Sequence, residues 1–405
     1  VTANGNSGSS ITPDTSTGYN VWIVTATSDA LQTVTFSGTA PTIGTTRENT
    51  TTGKMEIYTG AKGWRALQQT GQDVGIVPSN NFNTVLYVGN RPSDNIITGV
   101  GFQPDLTWIK DMDATESNTL FDNVRGAYAL ESNTQSVQSN FVGYFNFDSD
   151  GFTVGDSGQI NTSSSNIVSW NWKAGGAAVQ NNDGSINGTD CMVSANADAG
   201  FSIIKWTGST SSSPESVGHN LGKAPELVIL KNMDAVDAWY TYVEGVTGNN
   251  QYLKLNTTDA VITAGSDSWG AGPTSSVMGL RPATFAGTSS QNLIMYCWTS
   301  IPGYSLIGTY TGTITADFPI IYTGFEPAWL MIKQTDSTNY WYIWDNKRST
   351  SNPRQDTLEP NTAAVELHGV GIAGVRFLNN GFQIQSIYTY NNAEAGEYLF
   401  MCFAS

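Results

Sequence analysis

The sequence predicts an all-β protein: three tandem antiparallel β-sandwich units, jelly-roll-like, behind a small N-terminal β segment. Composition, a strand motif repeated three times and the chemistry of the turns carry that prediction. Of 405 residues, 42 are Gly, and Thr, Ser and Asn recur throughout. Gly and Asn tolerate positive φ while Thr and aromatic residues suit a pleated surface, a mix that favours short strands joined by many turns. Hydrophobic residues make up 39%, with 12 Trp, 17 Tyr and 16 Phe, enough apolar area for real cores. Charged residues are only 13%, against about 25% in an average soluble protein. Uncharged polar groups and backbone must therefore wet most of the surface.

The repeat is read from three segments: Gly101-Phe-Gln-Pro-Asp-Leu-Thr-Trp-Ile-Lys110, Gly222-Lys-Ala-Pro-Glu-Leu-Val-Ile-Leu-Lys231 and Gly324-Phe-Glu-Pro-Ala-Trp-Leu-Met-Ile-Lys333. In each, a Gly stands three positions before Pro104, Pro225 or Pro327, and a Lys six positions after it, at Lys110, Lys231 or Lys333. The first and third copies also share an Asp 18 positions after the Pro and an Arg three further on, giving Asp122/Arg125 and Asp345/Arg348. The second copy has Tyr242-Val-Glu-Gly245 there and lacks the pair. The copies close on similar strands ending Trp170-Asn-Trp172, Tyr296-Cys-Trp298 and Met401-Cys-Phe403.

Residues 82–176, 201–300 and 301–405 are thus three units of about a hundred residues each. That period suits tandem β domains rather than a solenoid of about 20–45-residue units. Residues 177–200 read as a linker or lone hairpin. Ile301-Pro-Gly303 joins the last two units tightly enough to make them a rigid pair. Within a unit, Asp148-Ser-Asp-Gly151 and Asn379-Asn-Gly381 mark hairpin turns, because their residues accept positive φ. A two-layer sandwich follows if each strand buries one face and leaves the other polar.

Residues 1–81 differ. The stretches 19–24 and 33–36 read as strands, and 45–64 as strand ends around Gly-centred turns. So small a hairpin is marginal by itself, and an attachment role, stabilised by another chain, is expected. The first ten residues lack the basic start and apolar core of a signal peptide.

Several function classes are disfavoured. A net charge of −16, with 18 Lys and Arg against 34 Asp and Glu, supplies no basic face for nucleic acid. No run of about 20 apolar residues exists to span a membrane. Cys191, Cys297 and Cys402 are far apart without a CxxC pair, and Cys297 and Cys402 sit at equivalent repeat positions, so packing is their expected role. His219 and His368 have no nucleophile in a sharp turn beside them, so neither is expected in a triad. The acidic residues mostly share turns with Asn, Ser and Gly, where Asx hydrogen bonding accounts for them. Residues 148–151 and 181–190 resemble calcium loops but lack the twelve-residue spacing and closing Glu. No catalytic residue, metal or cofactor is expected. The Asp/Arg pairs read as repeated structural ion pairs closing a turn. Tyr340-Trp-Tyr-Ile-Trp344 could form a stacking platform for sugar, with the sheet interior as its expected home.

The GFxPxxxxIK strand (Gly101 to Lys110), the FDxxRG turn (Phe121 to Gly126), the DGF hairpin (Asp150 to Phe152) and the aromatic-Cys-aromatic strand (Tyr296 to Trp298) resemble a family of domains of unknown function. That family is abundant in tail fibres and other virion proteins of marine tailed phages. The 49–64 stretch is similar to one common near the front of phage structural proteins. The resemblance covers roughly 45–405 and departs in the second copy at the Asp-x-x-Arg turn. It implies a virion component that binds through exposed loops to a cell-surface glycan or protein and docks on other virion proteins through its N-terminal segment. Fibres of this kind are usually trimers, so a homotrimer is the expected assembly. A capsid decoration protein is the alternative, and a polysaccharide depolymerase a third.

Overall fold

A computed structural model describes residues 46–49, 54–58 and 64–66, and residues 75–405 apart from 210, 212, 267, 282–289, 315–317, 370–373 and 386–388. The chain divides into two compact units, Val1–Asp73 and Val74–Ser405. In the first, strands Thr46–Asn49, Lys54–Tyr58 and Trp64–Ala66 form an antiparallel three-stranded sheet in that order. The strands expected at 19–24 and 33–36 lie outside the described residues.

The second unit is nearly all β and contains one topology three times. In lobe 1 the large sheet runs Phe82–Val88, Asn166–Trp172, Leu106–Asp111, Thr119–Asp122, Gly126–Glu131, Ser139–Asn140. Lobe 3 orders its strands alike: Ser305–Thr311, Glu397–Phe403, Trp329–Gln334, Trp341–Asp345. Lobe 2 repeats the order with Phe201–Thr207, Asn292–Trp298, Leu227–Asn232 and Trp239–Val243 inside an eight-stranded sheet. Each time the opening strand pairs with the closing strand, and the closing strand with the strand that follows the repeat Pro. The register is the same too: Leu106 faces Trp172, Leu227 faces Trp298, and Trp329 faces Phe403.

A smaller sheet covers each large one. It holds Phe145–Asp148, Gly151–Val154 and Asn95–Thr98 in lobe 1, and Gly374–Leu378, Gly381–Gln385 and Ile320–Tyr322 in lobe 3. Lobe 2 has only Glu215–Gly218 and Val277–Leu280 among the described residues. The stretch expected as a linker or lone hairpin, 177–200, holds a hairpin of Val179–Asn181 and Gly188–Asn196, and the hairpin does not stand alone. Its second strand joins the sheet of lobe 2, with Cys191 opposite Trp206 and Asn196 opposite Phe201. Lobes 1 and 3 agree down to single bonds. Tyr87 Oη donates to the Ile160 carbonyl and Tyr310 Oη to that of Asn391, both at 2.7 Å.

The layers depart from the expected sandwich in one respect. Each lobe has its own interior, built around Ile109, Phe121 and Phe152 in lobe 1, Trp206, Val228 and Met295 in lobe 2, and Leu330, Trp344 and Phe382 in lobe 3. The opposite face of each large sheet, expected to be polar, is buried as well. Leu106, Trp108, Trp170 and Trp172 meet Leu227, Ile229, Tyr296 and Trp298, and also Trp329, Met331, Met401 and Phe403, in one shared core. Runs such as Leu293-Ile-Met-Tyr-Cys-Trp298 are apolar on both faces, which is the signature of a strand covered on two sides. At one end the closing aromatics of the three lobes come together. Trp172 lies 6.3 Å from Trp298 and 5.7 Å from Phe403, centroid to centroid, in edge-on packing. Each such side chain contributes roughly 1.5–3 kcal/mol over its exposed state. The three lobes therefore cannot be separate domains.

Candidate functional site

The repeated polar residues gather where lobe meets lobe. Three equivalent backbone bonds close a ring: Gln138 N–H to Met233 O at 3.0 Å, Val261 N–H to Thr335 O at 2.8 Å, and Glu366 N–H to Met112 O at 2.9 Å. They run from lobe 1 to 2, from 2 to 3 and from 3 back to 1. Beside them three equivalent side chains reach across in turn. Asn118 Nδ2 donates to Thr362 O at 2.8 Å and Glu359 O at 3.2 Å. Trp239 Nε1 donates to Glu131 O at 2.9 Å and Trp341 Nε1 to Lys254 O at 3.1 Å. Sequence reasoning missed these three. Trp239 and Trp341 stand at the same offset from their prolines, a usable signal, but Asn118 in the first copy hides it.

The repeat lysines lie at the same seams, fully buried. Lys231 Nζ donates to Asp237 O at 2.9 Å and across the seam to Gln135 O at 3.2 Å. Lys333 Nζ reaches Thr258 O of lobe 2 at 3.3 Å, and Lys110 Nζ holds Asp111 O at 2.6 Å and Ala114 O at 3.0 Å. An ammonium has three donors and no acceptor, so it suits a nest of carbonyls. Burial lowers each of the three to about 8, offset in part by Asp111 and Glu116 at Lys110, by Asp237 at Lys231, and by Asp259 and Asp336 at Lys333. Pro104, Pro225 and Pro327 are buried at the entrance to the same strands. The Gly three residues before each has φ of 87°, 68° or 86°, which explains the Gly of the motif.

The Asp/Arg pairs are buried ion pairs, as expected, and each also binds a neighbouring lobe. Arg125 Nε lies 2.5 Å from Asp122 Oδ2, which accepts the Tyr296 hydroxyl of lobe 2 at 2.7 Å. Arg348 Nε lies 2.5 Å from Asp345 Oδ2, which accepts Trp170 Nε1 of lobe 1 at 3.0 Å. Arg348 also pairs with Glu366 and stacks over the Trp170 ring, 5.6 Å from its centroid. Burial pulls the Arg125 guanidinium down, but Asp122 and Tyr296 more than offset it and leave it above its ordinary value. In lobe 2, Val243 stands at the Asp position and Val246 at the Arg position. The strand position that supplies Tyr296 and Trp170 holds Met401 in lobe 3. Acceptor, cation and donor are replaced together, all by apolar side chains within the shared core or packed on it.

His219 is buried, its Nε2 3.1 Å from Thr274 O while Nδ1 accepts the Leu221 N–H, and burial lowers its pKa. His368 is exposed and raised by its hydrogen bond to Asp356. Burial pushes the Cys191 thiol up to about 11 and those of Cys297 and Cys402 further. Asp150 caps Gly99 and Gly101, and the Asn181 side chain caps Asp183, so both calcium-like stretches are turns. Among the described residues no group of three or more His, Cys, Asp or Glu could hold a metal. No helix there is long and apolar enough to cross a membrane. Of the aromatic run, Trp341, Tyr342 and Trp344 are interior and Tyr340 alone is exposed. A cleft of about 350 Å³ opens between lobes 2 and 3, lined by Val246, Val261, Thr335, Asp336, Glu397 and Tyr398 among others.

These features define an all-β protein whose second unit is a closed ring of three sandwiches, with both Asp/Arg pairs and two of the three repeat lysines bonded to a neighbouring lobe. Residues 77–405 match a family described as Domain of unknown function (DUF7483), and the chain belongs to that family. No curated protein matches.

Proposed function

We propose that this protein is a structural component of a phage virion, a tail fibre or similar appendage that binds the host cell surface without catalysis. The observation that supports this reading best is the use made of the repeated polar residues. Lys231, Lys333, both Asp/Arg pairs and the indole N–H groups of Trp170, Trp239 and Trp341 serve contacts between lobes, which suits a rigid scaffold. Rigid elements hold exposed loops in place for binding. The motif resemblance adds the virion setting, and a surface low in charge suits many weak contacts that gain strength through multiple copies. The N-terminal segment is the proposed attachment to other virion proteins. A homotrimer joined through those segments would display three units, each already closed on itself. Antibody labelling of intact virions tests the reading. Label at the tail or its fibres is expected; a regular lattice over the head would favour a capsid decoration protein instead, and absence from the particle would refute both.

A further inference from the structure

We infer that the lobe 2–lobe 3 seam carries a saccharide subsite, in which Tyr340 and Tyr390 form a stacking shelf beside the 350 Å³ cleft. This deepens the host-binding reading and rests on it. The second unit has two poles. Opening strands begin and closing strands end at the first, where the Phe82 and Phe403 rings lie 5.2 Å apart. The closing strands begin at the opposite pole, about 20 Å away for seven residues of strand. Tyr340 and Tyr390 stand at that second pole, away from the point where the chain comes into this unit.

Tyr340 and Tyr390 are 41% and 42% exposed, unlike the buried tyrosines around them. The Tyr342 ring lies between them, 6.3 Å from Tyr340 and 6.1 Å from Tyr390. Asn339 fixes the shelf: its Nδ2 donates to Tyr390 O at 2.9 Å and Gln334 Oε1 at 3.1 Å, and its Oδ1 accepts the Tyr340 N–H at 2.9 Å. Gln334 in turn donates to Asp336 at 3.0 Å, and Asp336 lines the cleft. Shelf and cleft are therefore parts of one held surface, and little ordering is left for a ligand to impose. The equivalent places in lobe 1 hold Ser117 and Gln159, and Gln159 is tied to Thr119 and Glu131. The cleft itself lies at the seam where Val246 replaces the arginine that occupies the other two seams.

An aromatic face accepts the C–H face of a pyranose, while its hydroxyls need acceptors and donors such as Asp336, Glu397 and Thr335. Two carboxylates and a chain charge of −16 repel uronic and sialic acids. The ligand is a neutral hexose-containing glycan.

Saturation-transfer NMR and a glycan array with neutral, amino and acidic oligosaccharides test this on the full chain. Neutral sugars should bind, and Tyr340→Ala/Tyr390→Ala should weaken binding at least about tenfold, or about 1.4 kcal/mol. Tyr340→Phe/Tyr390→Phe should retain it, and Tyr144→Ala, an exposed tyrosine of lobe 1, should leave it unchanged. Equal melting temperatures separate these effects from misfolding. Neutral-sugar binding untouched by the double alanine variant would overturn the site, and preference for acidic sugars would overturn the ligand class. Binding to cells without binding to any glycan would sink the site and leave the host-binding reading intact. Failure to bind cells at all would sink that reading too.

Discussion

Lobes 1 and 3 differ from lobe 2 in how they hold a neighbour, and the difference shows what the ion pairs are for. Asp122/Arg125 and Asp345/Arg348 each face a side chain that donates to the Asp, Tyr296 or Trp170. Lobe 2 offers Val243 and Val246, and the matching place on lobe 3 is Met401. Taking charges out of water costs several kcal/mol per ion even after relaxation, so such a pair persists only if every group around it is satisfied. Where the donor is missing, so are the charges. Polar and apolar seams are two self-consistent solutions to one packing problem, and mixing them should be worse than either.

The largest expected effect comes from mixing. Asp122→Ala leaves the Arg125 guanidinium buried without its carboxylate, and a loss of about 3–5 kcal/mol is expected from urea melting. Trp239→Phe should cost about 1–3 kcal/mol in the same assay, because the Thr134 carbonyl loses its donor and that of Glu131 keeps only the N–H and hydroxyl of Thr134. Transplanting the whole apolar solution, Asp122→Val/Arg125→Val/Tyr296→Met, should bring the protein back to within about 2 kcal/mol of wild type. A triple variant as damaged as Asp122→Ala would break the comparison.

The smallest effect is in pH. With Lys110, Lys231 and Lys333 held at about 8, folded and unfolded chains are equally protonated well below that value. Above it the unfolded chain, with lysines near 10.4, holds more protons, so stability should rise with pH from about 8 to 9. Further up, the raised thiols of Cys191, Cys297 and Cys402 cancel the rise, and buried tyrosines raised by burial, Tyr304 and Tyr310 among them, then reverse the sign, since the unfolded chain loses those protons first. Melting temperatures at closely spaced pH values should show the rise, and Lys333→Met should make it shallower.

Much of the fold was legible in the sequence. The Gly-x-x-Pro opening, the Lys six residues on and the aromatic closing strand mark three copies of one module, and the structure gives all three the same strand order. The ring was not legible, for physical reasons. A strand such as Leu227–Asn232 is apolar on both faces over Leu227 to Leu230, which marks it as covered on two sides but does not say that the second cover is another lobe's sheet. The closing bonds use the carbonyls of Met112, Met233 and Thr335, and a carbonyl leaves no mark on residue identity. Tyr296 and Trp170 sit in a different repeat from the ion pair each serves, so the exception in lobe 2 looked like loss rather than exchange. Tyr340 was visible within its aromatic run, but Tyr390, some fifty residues on, gave no hint that the two share a shelf.

Cross-linking across the seam that closes the ring tests the central claim most directly. Asp113 of lobe 1 and Val365 of lobe 3 are distant in sequence, exposed, and next to the 2.9 Å bond from Glu366 N–H to Met112 O. In native Asp113→Cys/Val365→Cys, treated with a short bis-maleimide and mapped by peptide mass, a link within one chain is predicted. Reaction of each cysteine singly, with links formed between chains or none at all, would contradict the closed ring.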